Sequence, residues 1–431
     1  MGAAMGAAQA GANVVLAERY GFLGGNATAA LVTPIMSFFT QHSHIQVNGA
    51  VTMFPTDHGT GDIAIKGVLL DFIERLVKAG GALPPSYNTG YVVPFDHEIF
   101  KLTAMEMLDE AGVRVLYHAF ASGVILDSEY PAVVFESKSG PLVIKARMII
   151  DCSGDGDVAA AAGAPYDVGR EGDGLVQPMT LYFRLAEFQK TAFENYIKKH
   201  PEQWRGVHGL WELVAKAQRD GELDLPREDI LIFGTTHEKE ISVNSTRVIR
   251  VLGTDVWDLT YAEWESRRQM KHIEDFFKCY VPGFKETYVI QSGVQIGVRE
   301  TRRIKGDYTL TANDVIEARS FEDAIAKSTY PIDIHNPAGR GTLLKRVKPG
   351  CSYEIPLRCC IPLGLDNILV AGRCISGTHE AHSSYRVMPV SMALGQGAGV
   401  CAAIGAIKKI KSREVSFKEV REELRRQKAL I

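Results

Sequence analysis

The sequence predicts an α/β fold in which short parallel strands are backed by helices of small residues. Two segments at opposite ends of the chain carry this reading. The first is M-G-A-A-M-G-A-A-Q-A-G, which runs into the apolar V-V-L-A and ends at Glu18. Gly2, Ala3, Gly6, Ala7 and Ala10 give the helix a thin face that can lie close on a sheet. The strand then delivers a carboxylate to the position where a dinucleotide-binding βαβ unit meets ribose hydroxyls. The first strand and the G-x-G-x-x-G loop that open such a unit are missing before Met1. With the third glycine immediately upstream, Glu18 would fall roughly 20 residues past the fingerprint. The expectation is a unit truncated at its N-terminus, with Met1 an internal methionine of a longer protein.

The second segment, residues 367–399, reads N-I-L-V-A-G-R-C-I-S-G-T-H-E-A-H-S-S-Y-R-V-M-P-V-S-M-A-L-G-Q-G-A-G. A buried strand ends at Gly372, a polar loop follows, and Pro389 opens a helix of small residues at a favoured first-turn position. Such a helix start carries about half a positive charge and unpaired N–H groups, a setting for an anion.

Between these ends the elements follow in order. The loop E-R-Y-G-F-L-G-G-N-A-T closes the first strand, and an irregular stretch to Gly61, with His42, His44 and His58, is expected to roof a pocket. Residues 62–79 repeat apolar positions at three- and four-residue spacing, the period of an amphipathic helix, and Gly80-Gly81 ends it. Asp96 caps the next helix, which stops at Gly112. Strands are expected at 113–117, 123–126 and 132–136, forming an antiparallel meander. S-K-S-G then turns the chain into 142–150, a parallel strand ending at Asp151. From about Gln177 to Tyr353 tryptophans, charges and long helical patterns appear, including a helix over 261–280 and strands over 288–296 and 303–310. The chain returns through 355–363. A tail helix from Ser416 carries a capping box of Ser416 and Glu419, and its Arg/Glu run is a solvated face. The domain reading is 1–176 with 354–411, a substrate or cap domain over 177–353, and a C-terminal helix over 412–431.

Composition narrows the classes. The chain has 431 residues, 46% of them hydrophobic, and a net charge of −3. That length buries a substantial core, and with no basic tract neither nucleic acid nor an anionic membrane is an expected partner. No apolar run is read as long enough to span a bilayer, and no charged-then-apolar leader is seen, so a cytoplasmic enzyme is expected. The seven cysteines form no C-x-x-C pair, which argues against an Fe–S cluster or zinc site. Cys359-Cys360 reads as two reduced thiols at a strand edge.

Three blocks resemble the FAD-dependent oxidoreductase family built on the glutathione-reductase type of flavin domain, within it the heterodisulfide-reductase-like flavoproteins. They are E-R-Y-G-F-L-G-G-N-A-T, I-I-D-C-S-G-D-G-D-V-A over 149–159, and the 367–399 block, joined by G-V-R-E-T-R-R-I-K-G-D-Y over 297–308. The resemblance implies FAD as the cofactor, a Rossmann-like domain whose parallel sheet carries an antiparallel meander, and an α+β cap for a small-molecule substrate. It implies that Glu18, beside Arg19, accepts from the ribose. Gly24, Gly25, Asn26 and Thr28 would approach the pyrophosphate, the Ala121 backbone the adenine edge, and Ser153, Gly154 and Asp157 the nucleotide side. Gly372, Arg373, Pro389 and Val390 would line the flavin. Where related flavoproteins have Gly-Asp this chain has Gly372-Arg373, so Arg373 or the main chain would serve the ribityl hydroxyls.

A flavin enzyme asks its protein to position a C–H bond, move a proton and stabilise charge. His379, between the Gly372 turn and the Pro389 helix, is the leading candidate general base or acid; the alternative is that it only hydrogen-bonds the flavin or a loop. Arg386 and Arg299 are the candidate holders of a substrate anion. Arg302 and Arg303 are read as structural, pairing with Glu300 or Asp307, and His335, Glu380 and His382 rank lower. The function expected is hydride transfer between flavin and a small organic substrate, carbohydrate-derived or carboxylate-bearing. The electron acceptor is unknown. The alternatives are a flavin-less binding or scaffold protein, favoured by the missing phosphate loop, and, last, NAD as the bound cofactor.

Overall fold

The computed structural model describes residues 1–41, 53–55, 59, 61–126 and 129–431. His42, His44 and His58 lie outside the described residues. The fold is mixed α/β, and its parallel strands form two pairs. Val15–Ala17 runs parallel to Arg114–Leu116, and Ile149–Asp151 runs parallel to Ile368–Val370. Val14, Leu16, Ile149, Ile150, Ile368 and Val370 all feed one hydrophobic core, so both pairs belong to one packing unit.

Residues 113–117, grouped with the meander from sequence, belong instead to the parallel pairing. The meander itself is Phe120–Ile125, Ala132–Glu136 and Leu142–Lys145. The stretch expected as one strand over 142–150 is two: it leaves the meander after Lys145, and the Ile149 N–H then donates to the Asn367 carbonyl at 2.9 Å. One apolar run serves two sheets, a change of partner that residue pattern does not encode.

The first helix, Gly2–Gln9, packs its small residues against a helix, not the expected sheet. Its partner is Met388–Lys408, which Pro389 opens as anticipated. A Cβ on Gly2 would lie 2.3 Å from the Met392 carbonyl oxygen, and one on Gly399 2.3 Å from that of Ala3. Glycines on both helices therefore permit backbone contact. Met388–Lys408 corrects the reading that no apolar run is of spanning length: it is long and apolar enough by composition, but most of it is buried inside the protein.

The helix expected over 62–79 begins only at Val68 and ends at Lys78. Residues 62–65 are held extended, because the Asp62 carbonyl accepts from Thr40 N–H (2.8 Å) and the Ala64 N–H donates to the Phe38 carbonyl (2.8 Å). Its end is as expected: Gly80 at φ 73° donates to Val77 and Gly81 to Leu76, the paired bonds of a Schellman motif. Asp96 caps His97–Glu110 by accepting from Glu98 N–H (2.8 Å) and Ile99 N–H (3.0 Å).

A six-stranded antiparallel sheet follows, built from Phe183–Ala186, Trp204–Arg205, His208–Gly209, Ile230–Gly234, Ile241–Val243 and Tyr288–Ser292. Lys190–Lys199, Trp211–Arg219 and Val256–Tyr280 supply Phe193, Ile197, Val214, Ala217, Ile273 and Phe277 to its separate core. Ile304, Leu310, Val315, Ile325, Ile332 and Ile334 join the first core. The strand expected over 303–310 is only Arg302–Ile304: Gly306 bridges to Pro362 and the chain then bends at Asp307 and Tyr308. Cys359 and Cys360 are buried in a 3₁₀ turn, not at a strand edge. The tail helix Phe417–Arg426 forms without the Ser416 side-chain cap, and Glu419 pairs with Lys408.

Candidate active site

Four stretches converge: 18–30, 151–157, 293–303 and 372–390. Glu18 follows its strand, with its N–H donating to the Leu116 carbonyl (2.8 Å) and its own carbonyl accepting from Ala119 (2.9 Å). That second bond starts the strand bearing Ala121 beside Glu18. The Glu18 carboxylate accepts from Tyr20 N–H at 3.1 Å, and burial, outweighing that bond and nearby Arg19, raises its pKa. The Arg19 guanidinium and the Tyr20 hydroxyl both donate to Gln295. The Asn26 amide donates to the Val298 carbonyl at 3.1 Å, so this loop is fastened to 295–298.

Gly24 and Gly25 have φ of 120° and 54°, and a Cβ on Gly24 would lie 2.5 Å from Thr28 Oγ1. Thr28 itself is committed to the loop: it is buried and donates to the Leu23 carbonyl at 2.6 Å. Asp151 ties the next turn by accepting from Ser153 N–H and Ala159 N–H, both at 2.9 Å. Ser153 Oγ accepts from Asp157 N–H (3.0 Å). Asp155, not singled out from sequence, accepts from Arg373 (2.7 Å) and Thr301 (2.8 Å). A Cβ on Gly154, at φ 84°, would meet that Arg373 guanidinium at 2.8 Å. Asp157 is engaged by Arg302 at 2.8 Å, which corrects the expectation that Arg302 pairs with Glu300 or Asp307; Asp307 binds Arg413.

His379 was expected in a loop and instead opens a short helix, His379–Tyr385, capped by Thr378. Gly372 precedes it at φ 98°, and Val390 is fully buried in the helix beyond. His379 Nδ1 lies 2.9 Å from Glu300 Oε1, in a pair whose side chains are 5% and 0% exposed. The same carboxylate accepts from Gln177 N–H (3.0 Å) and, as expected from sequence, from Arg303. An ionised carboxylate only accepts, so Nδ1 of His379 is the donor in this contact and Nε2 points elsewhere. That Nε2 is buried without a partner, as are both ring nitrogens of His382 and the Nε atoms of Arg373 and Arg386. Burial, with Arg303, Arg386 and Arg373 nearby, holds His382 well below its ordinary pKa, so it is neutral.

A second group surrounds Arg299 and Arg386. Arg299 donates to the Pro178 carbonyl and Thr180 Oγ1, both at 2.6 Å. Burial and the neighbouring Arg386, Arg247 and Arg227 draw its pKa down to about 9. Arg386 lies 3.8 Å from Asp333, which also accepts from the Tyr330 hydroxyl (2.8 Å). The Ile332–His335 strand carrying Asp333 is held by Ser383 Oγ, 3.1 Å from Asp333 N–H. Sequence ranked His335 low and did not mark Arg227, Arg247 or Asp333. No local motif connects these residues; one strand (Ile332–His335), a helix end at Arg386 and the loops holding Arg227, Arg247 and Arg299 bring them together.

Residues 1–424 match the family described as FAD dependent oxidoreductase. No curated protein matches the chain. Among solved structures, p-nitrophenol 4-monooxygenase PnpA from Pseudomonas putida DLL-E4 is similar at 11% identity, covering 98% of this chain and 79% of that one, with a TM-score of 0.43. A geranylgeranyl bacteriochlorophyll reductase-like protein from Thermoplasma acidophilum is similar at 12% identity, covering 99% and 80%, with a TM-score of 0.43. By the family match over almost its whole length, the chain belongs to the FAD-dependent oxidoreductases.

Proposed function

We propose that this FAD-dependent oxidoreductase acts on a small organic substrate bearing a carboxylate, with His379 handling the substrate proton. Bound FAD supplies the two-electron acceptor. The residues fit that cofactor: the Glu18 carboxylate ends the first strand, glycines at positive φ follow it, and orphaned nitrogens of Arg373, His379, His382 and Arg386 cluster before the Met388–Lys408 helix.

The observation that carries the reading is the His379–Glu300 pair, with His379 Nε2 buried and without a hydrogen-bond partner among the described residues. Glu300 sets the tautomer and stabilises the imidazolium formed when Nε2 takes a proton from the substrate, the orienting role of a carboxylate behind a base. Arg303 and the Gln177 N–H hold Glu300 in place. Arg299 and Arg386 receive the carboxylate, which relieves the repulsion between two partly buried cations.

The test is anaerobic mixing of the purified protein with hydroxy acids, amino acids and sugars while following the visible flavin absorbance. Bleaching by a carboxylate compound, lost in Arg299→Met, supports the reading. Bleaching by neutral sugars alone rejects the carboxylate assignment. A colourless protein that takes up no added FAD supports the flavin-less binding alternative.

A further inference from the structure

The helix Val256–Tyr280 turns Ala262, Glu265, Ser266 and Gln269 inward, where they are buried. On its other side Trp257, Tyr261 and Trp264 are 78%, 53% and 65% exposed. Spacings of four and three residues set these rings in one stripe over the first three turns. Exposed Val256 begins the stripe and exposed Val294 adjoins it. Glu263 accepts from Ile296 N–H (2.6 Å) and Arg267 donates to the Gly293 carbonyl (3.4 Å), which fixes the 293–296 turn against the helix. Beyond Trp264 the same face becomes polar, with Arg268, Lys271 and Asp275.

A single exposed ring is ordinary, whereas a contiguous apolar stripe marks a contact surface. At roughly 200 Å² for an aromatic side chain, the exposed parts of the three rings amount to about 400 Å². Two such faces, with their valines and polar flanks, reach the total of about 1,000 Å² that a specific interface needs. The charges on these turns are already engaged within the chain. Asp255 accepts from Trp257 N–H (2.8 Å) and Asp258 N–H (3.0 Å), and Asp258 from Leu252 N–H (2.7 Å). Arg267 pairs with Glu263, and Arg268 with Glu265 and Asp224. Over 255–268 the carboxylates outnumber the arginines, so the border repels an anionic membrane or nucleic acid.

From this face we infer that the chain forms a symmetric dimer: a second copy, turned antiparallel about Tyr261, packs its stripe on the first. Trp264 lies three residues after Tyr261 and Trp257 four residues before it, so each Trp264 meets the partner's Trp257. Arg267 and Asp255 lie six residues to either side of Tyr261, so each acidic helix start falls beside an arginine and not beside its like. A surface that matches itself is the requirement of a two-fold interface. Because the arginines already hold carboxylates of their own chain, the rings carry the association.

The test is sedimentation of the FAD-loaded protein over a concentration series into the micromolar range. The dimer mass should appear as concentration rises. Trp257→Ser combined with Trp264→Ser should weaken dimerization by about tenfold or more, the effect of losing an interface anchor. Tyr261→Arg, which sets two like charges at the two-fold axis, should weaken it at least as much. These positions are exposed, so circular dichroism and flavin content should match the parent. A chain that stays monomeric throughout the series, or a dimer that either variant retains at full strength, overturns the inference. A monomer whose tryptophan emission shifts on neutral phosphatidylcholine vesicles also overturns it and assigns the face to a lipid surface.

Discussion

His379 and Glu300 are 79 positions apart in the chain and 2.9 Å apart in the fold, and the proton chemistry rests on that contact. His379→Ala should slow anaerobic flavin reduction by roughly a hundredfold or more, the usual contribution of a general base, with flavin content unchanged. An unaltered stopped-flow rate removes His379 from catalysis. Glu300→Gln keeps the shape but no longer requires a donor at Nδ1, so its reduction rate should fall as well. Arg299 offers a pH signature. Its cation binds the anion, and burial with neighbouring charges has drawn its pKa down to about 9. Carboxylate affinity should therefore hold through neutral pH and weaken as the pH rises past about 9. Affinity that stays level above that point means a different cation holds the ligand. Sequence located His379 and Arg299 through the blocks that contain them, yet Glu300 was legible only as a salt-bridge partner. Nothing in G-V-R-E-T-R-R says which distant side chain the glutamate will meet.

At the scale of elements, two helix contacts make separate claims. Gly2–Gln9 and Met388–Lys408 approach so closely that a methyl on Gly399 would lie 2.3 Å from a backbone oxygen. Gly399→Ala must push the helices apart and should cost roughly 1–3 kcal/mol, the range for overpacking a tight core. Urea unfolding measures this, and an unchanged midpoint means the pair has slack. The other contact is at the start of His97–Glu110. Burial, reinforced by Arg184, lowers the His97 pKa from 6.5 to about 4. Between those values the unfolded chain binds a proton that the folded chain refuses, so stability is lost as pH falls through that window. The loss should reach about 3 kcal/mol by pH ~4, and His97→Gln should flatten that part of the stability profile. Helix ends were readable because Asp96, Gly80 and Gly112 act locally. The start of the Val68–Lys78 helix was not, since hydrogen bonds to Phe38 and Thr40 hold residues 62–65 extended against their helical periodicity. The first helix likewise showed its thin face, but not whether a sheet or a helix would cover it.

Across the whole molecule, the site is assembled from stretches that share no neighbourhood in sequence. Candidates for the cofactor side can be marked in sequence because glycine turns and a strand-end carboxylate are short motifs. Around the second cluster Arg299 and Arg386 were marked from sequence, whereas Arg227, Arg247 and Asp333 were not, because no local motif connects these residues and only the fold brings them near. Glu18, Asn26, Asp155, Thr301 and Arg373 lie along this junction. Asn26 fastens the loop after Glu18 to Val298, and Asp155 joins Arg373 to Thr301. A ligand held here binds the folded chain and has no site in the unfolded one, so FAD should raise the melting temperature as its concentration increases. At a hundredfold excess over Kd the gain is about 2.7 kcal/mol. With Glu18 as the proposed acceptor for the ribose, Glu18→Ala removes a hydrogen bond to a charged group, which contributes about 1.5–3 kcal/mol. Its melting curve should therefore need about tenfold or more additional FAD to reach the same temperature, while the FAD-free melting temperature stays close to that of the parent. If both proteins respond identically to FAD, Glu18 does not meet the cofactor and the strand-end carboxylate is structural. If Glu18→Ala melts lower without FAD and responds to it like the parent, the residue contributes to folding alone.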